Sequence, residues 1–451
     1  MKKHIPSLLL CNFVLLFLTA AILNAQQPQN VFALNVKDFG AVNDGQTDNT
    51  AAFQKALDAA AAHDTQTVFV PRGNYRFDGS LNVPAGVTLK GVWETVPSHS
   101  GIRNKGRAKP TDDGTTFLVY GGKEAGKEAA ASAPAFITLQ ANSTLRGVCI
   151  YYPEQKEDDI PVEYPWTIVL RGDNIGVLDC ELLNPYRAID ATHAGRHLIR
   201  NIHGQPLRLG IYVDAIYDIG RIENVHWNPW WSMKPKLFKW QMENGEGFVF
   251  GRTDWHYVHN TFCFGYNTGY RFIETKNGVC NGNFLGIGAD DCYSAVVVEQ
   301  SAPFGILITN GEFVSFHGPE PTMIRVAETN RGAVRFSNCA FWGPCRQIAV
   351  VNGTATGMTG FSDCTFVQWG FKAKEDGQKG YDRSDNAAIQ ILGGNAIIRG
   401  NDFQENKNHI LLGEKVKRAV ITGNIFRGTQ HIENNAGEKP SIVIKDNAAD
   451  E

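Results

Sequence analysis

Short apolar and β-branched runs, each closed by a glycine-rich turn, follow one another from about Leu145 to Ile432. A phrase recurs with them: Asn or Asp, an aromatic two or three residues on, a turn, then another β-branched run. It can be followed through Asn201, Asn224, Asn260, Asn283, Asn310, Asn338, Asp363, Asn401 and Asn424, in steps of 23, 36, 23, 27, 28, 25, 38 and 23 residues. A period of roughly 20–30 residues without helical spacing predicts a solenoid whose repeats each add one turn of parallel sheet. The longer steps are the common coil plus an inserted loop. The period sets the fold, and the loops are left to set the function.

Ahead of the repeats, ALNVKDFGAVNDGQTDNTAAFQKALDAAAAHDTQTVFVPRGNYRF predicts a strand over Val36–Phe39 and a turn at Gly45. A helix follows, capped by Asp48 or Asn49 and running through Ala61, with Phe53, Ala56, Leu57 and Ala60 on its apolar side. Val68–Val70 is then a buried strand. A helix in this place covers the open apolar end of the first coil. Asp44 and Asp48 suit turn and cap duty better than a calcium site.

Three stretches break the period. Residues 91–135 are polar and rich in Gly, Ala and Lys, as a lid or a surface insertion would be. Residues 152–166 carry Glu154, Glu157, Asp158, Asp159 and Glu163. Residues 227–247 gather Trp227, Trp230, Trp231 and Trp240 beside Lys234, Lys236 and Lys239. Exposed aromatic faces stack on sugar rings and lysines pair with uronate carboxylates, so Trp230 and Trp231, with Trp255 beyond them, are candidate substrate contacts. The alternative is that the aromatics pack the loop onto the body.

Residues 1–25 read as a secretory signal: Lys2 and Lys3, an apolar stretch from Leu8 to Ile22, and Ala25 before the cleavage point. No later stretch is apolar and long enough to span a membrane. The solenoid domain is placed at 26–433, with its cap at about 32–75, and 434–451 is a polar tail. A secreted or periplasmic location follows. A formal net charge of −3 argues against non-specific nucleic-acid binding. Eight cysteines remain after the signal, and Cys149 with Cys180, and Cys339 with Cys364, fall at similar places in neighbouring repeats. That spacing suits core ladders, with disulfides the alternative. No CxxC pair supports zinc, and His193 and His197 lie four apart in a strand-and-turn stretch that does not pair ligands. No metal site is assigned.

DFGAVNDGQTDNTAAFQKAL followed by VFVPRGNYRF resembles the start of the pectate-lyase-like superfamily, which includes rhamnogalacturonase- and polygalacturonase-like hydrolases, lyases and epimerase-like members. The resemblance implies an all-β, single-stranded right-handed parallel β-helix with an N-terminal capping helix and long loop excursions. Three successive coils also resemble the polygalacturonases, which place N-T-D, D-D and G-H-G motifs at consecutive strands. The matching positions are Asn267-Thr268-Gly269, Asp290-Asp291-Cys292 and Phe316-His317-Gly318. Gly269 stands where that family has an aspartate, and Phe316 where it has a glycine. The downstream R-I-K motif has no clear counterpart, although Arg325 or Arg331 could supply a cation.

Adjacent carboxylates resist double ionisation, so one of Asp290 and Asp291 can hold a proton for a leaving glycosidic oxygen. The alternative for the pair is a turn cap. With Gly269 unable to act, Glu246, Asp254 or the other aspartate must serve as base. His317 is placed to steer the acid or touch substrate. Arg271, between Tyr270 and Phe272, faces the groove if those two face the core. Asn267, Arg325 and Glu299 complete the set of candidate substrate contacts.

The first expectation is therefore an inverting glycoside hydrolase acting on a plant- or algal-type, acidic polysaccharide or oligosaccharide, without a cofactor. The alternatives are a polysaccharide lyase, for which calcium would be a candidate cofactor, and a non-catalytic glycan-binding solenoid. Sequence leaves the sugar, the linkage and the oligomeric state open.

Overall fold

The computed structural model describes residues 32–62, 66–99, 113–123, 133–318, 320–373 and 381–450. The signal segment lies outside the described residues. Strand pairing is parallel throughout the solenoid, and each coil contributes one strand to each of three sheets. Sheet A includes β1 (Leu209–Asp214), β2 (Glu246–Phe250), β3 (Thr268–Phe272), β4 (Ser294–Val298), β5 (Thr322–Val326) and β6 (Gln347–Val351), each paired with the next. Sheet B runs through Arg221–Trp227, His256–His259, Gly282–Leu285 and Ile306–Thr309. Sheet C takes in Phe262–Phe264, Gly288–Asp290, Glu312–Val314 and Ala340–Trp342. This is a parallel β-helix.

Stacking in register repeats each residue type on its neighbour. Phe313, Phe341, Phe366, Phe403 and Phe426 form one column inside sheet C, with ring centroids 5.5, 5.2, 4.7 and 4.9 Å apart. The turn between sheets B and C needs a left-handed residue, which Asn and Asp adopt at least cost after Gly. Asn201, Asn224, Asn260, Asn310, Asn338 and Asp363 all have φ between 50 and 58°. Asn283 does not belong to this row: it lies inside a strand, and Gly286 (φ 63°) takes the turn. Asn401 and Asn424 likewise follow left-handed Gly400 and Gly423.

The cap helix is α1 (Thr50–Ala61), burying Phe53, Ala56, Leu57 and Ala60 as the periodicity predicts. Val36–Phe39 is a 3₁₀ turn rather than a strand, because Asn35 accepts from the Lys37 amide and Gly40 closes it with φ 95°. Residues 91–135 are not one excursion, since Thr115–Val119 is a regular strand of sheet C paired with Gly73–Phe77. The coils also continue past 434: Ile442–Lys445 pairs with Ala419–Thr422, and Ala448 with Ile425.

The tryptophan-rich stretch contains α2 (Pro235–Asn244), started by proline at its first position. It packs on the outside of sheet C, where Leu237 and Trp231 join Cys149, Tyr151, Leu183 and Leu207 in a second apolar cluster. The acidic 152–166 loop clamps it down: Lys234 pairs with Glu157 at 2.9 Å and Lys236 with Asp159 at 2.5 Å. These two lysines are therefore spent on the loop rather than offered to a ligand.

All eight described cysteines are buried free thiols. Cys339 and Cys364 do sit together in the core. Cys149 and Cys180 do not form a ladder, because Cys149 pairs in register with Glu181. One residue of offset turns the two thiols to opposite faces of the sheet.

Candidate functional site

Along sheet A, every strand from β3 to β6 presents its fourth residue outward between buried neighbours. In register this row reads Val249, Arg271, Val297, Arg325 and Val350. Tyr270 and Phe272 are fully buried, so Arg271 faces the outside as the alternation requires. Arg271 and Arg325 are two rungs apart, roughly 10 Å at the usual strand spacing.

Around this row lies an open cavity of about 690 Å³, lined among others by Glu246, Asn267, Arg271, Glu299, His317 and Arg325. Six of the residues singled out from sequence thus converge on one surface. Tyr293, Ser294 and Glu320 join them. Tyr293 immediately follows the D-D-C motif, and that adjacency was the signal that could have marked it. Gly318 (φ 94°) lets the loop lie across Tyr293, since a Cβ there would come within 2.9 Å of the ring.

The charged groups in the cavity fall into two kinds. Arg208, Glu246, Arg271 and Glu299 form a continuous chain of ion pairs, with N–O distances of 2.8, 2.8 and 2.6 Å. Glu246 is nearly covered, and two guanidinium groups hold its side chain in place. Arg325 is different. Its guanidinium donates to Ser294 Oγ (3.0 Å), the Glu320 carbonyl (2.8 Å) and Thr322 Oγ1 (3.0 Å), and it forms no carboxylate ion pair among the described residues. Burial lowers its pKa against the raising effect of nearby Glu320.

The D-D pair is split by its own backbone. Asp291 has φ 54°, so the two side chains leave on different faces. Asp290 is half-buried and lines a separate cleft on sheet C with Asn260, Glu312 and Trp342. Burial, then the Asp291 charge and, more weakly, Glu312 raise its pKa, while the Asp291 backbone amide partly opposes the rise. Asp291 is buried and bonds to Nδ1 of His317, whose side chain is about half exposed (48%). Tyr381 reaches over from a later coil and donates its hydroxyl to the Phe316 carbonyl at 3.4 Å.

Gly269 explains one departure from the polygalacturonase pattern. A Cβ there would come within 2.7 Å of the Ala295 carbonyl and 2.8 Å of the Ala289 methyl, so the position points into the core and has no room for an aspartate. Asp254 lies on the turn between sheets A and B and accepts from Asn281 at 3.3 Å. Arg331 is paired with Glu274. Trp230 and Trp231 are 8% and 2% exposed, so they pack the loop and offer no face for a sugar. Trp255 is exposed but stands on the turn leading to sheet B, outside the lining of the sheet A cavity.

The fold is a parallel β-helix, and its first coils carry a family match. Residues 33–132 match the family described as rhamnogalacturonase A/epimerase, pectate lyase-like. The chain is 46% identical to mannuronan C5-epimerase AlgE3 of Azotobacter vinelandii over 71 residues, which is 14% of this chain and 4% of that protein. It is 38% identical to the tail spike protein of Shigella phage Sf6 over 80 residues, 17% of this chain and 13% of that one. The chain therefore spans only a small part of the curated relatives it matches.

Solved structures share the fold along nearly the whole chain. The N-terminal fragment of bacteriophage phi29 gene product 12 superposes with a TM-score of 0.60 at 14% identity, covering 97% of this chain and 73% of that one. DFA-IIIase from Arthrobacter chlorophenolicus A6 in complex with GF2 gives 0.54 at 12% identity, covering 92% and 98%.

Proposed function

We propose that the chain is an exported enzyme that cleaves an acidic polysaccharide bound along sheet A. One observation carries the reading: Arg325, a cation with no carboxylate ion pair among the described residues, shares a cavity with a histidine held by a buried aspartate. With Nδ1–H given to Asp291, the His317 Nε2 lone pair is the atom left to take a proton.

β-Elimination suits these groups best. His317 takes the proton at C5 of a uronate, Arg325 stabilises the charge that builds on its carboxylate, and the C4–O4 bond breaks. Tyr293 returns a proton to the leaving oxygen. In this scheme Arg325 supplies the positive charge for which calcium was the alternative expectation.

Inverting hydrolysis is the second reading, favoured by the raised pKa of Asp290. Its difficulty is spatial, since Asp290 opens on sheet C while Glu246 sits in the sheet A cavity, tied by two arginines. The mature protein incubated with pectic, algal and hemicellulosic glycans separates the two. Elimination gives new reducing ends together with the ultraviolet absorbance of an unsaturated uronate. Reducing ends alone establish hydrolysis. Binding without either product means a non-catalytic glycan-binding solenoid.

A further inference from the structure

On the outside of sheet C, far along the chain from the groove motifs, three coils bring together a second group of chemically active side chains. Cys149 and Glu181 are directly opposite each other on neighbouring strands, and both are fully buried. The segment after strand Thr88–Lys90 brings in His99, 4% exposed. Its Nδ1 bonds to Glu181 Oε2, and its backbone N–H donates to Oε1 at 2.5 Å. One ligand atom from each of His99, Cys149 and Glu181 lies within 4.8 Å of the other two. The other ring nitrogen of His99, Nε2, is 3.5 Å from Asp113.

The next rung of the same ladder is His203, in register with Glu181. Its Nδ1 is buried and makes no hydrogen bond among the described residues. Above these residues, Trp231 and Leu237 of the tryptophan-rich excursion close an apolar cover that includes Cys149.

We propose that this cluster is a structural site for a divalent, zinc-class cation. Cys149 Sγ, a Glu181 oxygen and His99 Nδ1 are the three protein ligands. The charge count favours it. Glu181 is a fully buried carboxylate whose ion pairs among the described residues run to His99 alone. A dication balances one thiolate and one carboxylate with the His99 imidazole neutral. Sulfur, nitrogen and oxygen donors in a closed, buried setting suit zinc over calcium or magnesium.

Binding displaces the thiol proton to solvent. The imidazole proton moves from Nδ1 to Nε2, where Asp113 accepts it and fixes the ring. The consequence is structural, because the ion joins coils whose strands carry residues 88–90, 149–151 and 176–182. Sequence spacing could not show the site, since its ligands come from separate repeats.

The test begins with the wild-type mature chain, expressed with zinc and dialysed against metal-free buffer. The expected result is one tightly held zinc per chain, with a Tm that falls on treatment with a strong chelator and recovers on adding zinc. Cobalt(II) in place of zinc should give tetrahedral visible bands and a near-ultraviolet thiolate-to-cobalt band. Cys149→Ser should abolish the thiolate band, and Glu181→Gln should reduce zinc content. A wild-type chain that holds no metal and whose Tm ignores the chelator overturns the proposal, and the cluster is then a closed His–Glu–Cys hydrogen-bond network. Cobalt bands without the thiolate feature overturn it as well. Both decisive readings use the wild-type protein, so they stand even if a variant fails to fold.

Discussion

Asp291 and His317, 26 residues apart, meet across one coil, with Nδ1 of the imidazole bonded to a carboxylate that is almost wholly buried. The pair fixes the ring and leaves Nε2 to the groove. His317→Gln should lower kcat on the cognate glycan by about 10²–10⁴-fold with KM little changed, as loss of a proton-transfer group does. A kcat within a factor of a few of wild type would remove His317 from the chemistry.

Arg325 should discriminate by charge. Arg325→Gln is expected to weaken binding of acidic oligosaccharides by about 1.5–3 kcal/mol, the usual worth of a charge-assisted hydrogen bond, and to leave neutral ones unaffected. Calorimetric titration with matched acidic and reduced, neutral oligomers measures the difference. Equal losses for both would assign Arg325 a purely structural part.

Glu246 is predicted to matter for the wall more than for the proton. Glu246→Gln removes the centre of the Arg208–Glu246–Arg271–Glu299 chain. Both arginines are about one-third exposed, so solvent screening holds the expected cost to about 1–2 kcal/mol. Denaturant titration measures it. A stability loss with kcat retained supports elimination at His317, whereas complete inactivity at unchanged stability would restore Glu246 as the base.

Acid should loosen the solenoid before its carboxylates protonate. Burial pushes both His197 and His409 down to about 4. These histidines stay neutral in the folded chain while the unfolded chain binds protons below about 6.5. Stability is therefore full above that value and lost as pH falls toward about 4, by up to about 3 kcal/mol for each. His409→Phe should flatten this part of a Tm-against-pH curve. Asp290 has the opposite sign: its raised pKa lowers stability as pH rises above the ordinary carboxylate range, so Asp290→Asn should raise Tm at neutral pH and not in strong acid.

The phenylalanine column runs through the core of the later coils. Phe366→Ala, at its middle, should cost about 3–5 kcal/mol. A loss under about 1 kcal/mol would mean that the column relaxes around the gap.

Much of this was legible because a solenoid writes its fold as a period. The outward aim of Arg271 followed from two buried neighbours, and the convergence of Glu246, Asn267, Arg271, Glu299, His317 and Arg325 followed from strands in register. The errors have equally local causes. Asn283 matched the repeat phrase in composition but sits three residues before the turn, which Gly286 occupies. Cys149 and Cys180 looked equivalent until a one-residue offset put them on opposite faces. The split of Asp290 from Asp291 depends on a single positive φ, which sequence does not show. Trp230 and Trp231 were ambiguous from the start, and helix α2 decided for packing.

That positive φ also makes the wall between the two clefts thin. Asp290 opens on one face and Asp291 supports the other, yet the charge of the second raises the proton affinity of the first. A charge brought to the Asp291 face therefore acts on the Asp290 carboxyl at the other. The two faces of the protein are joined here through one peptide bond.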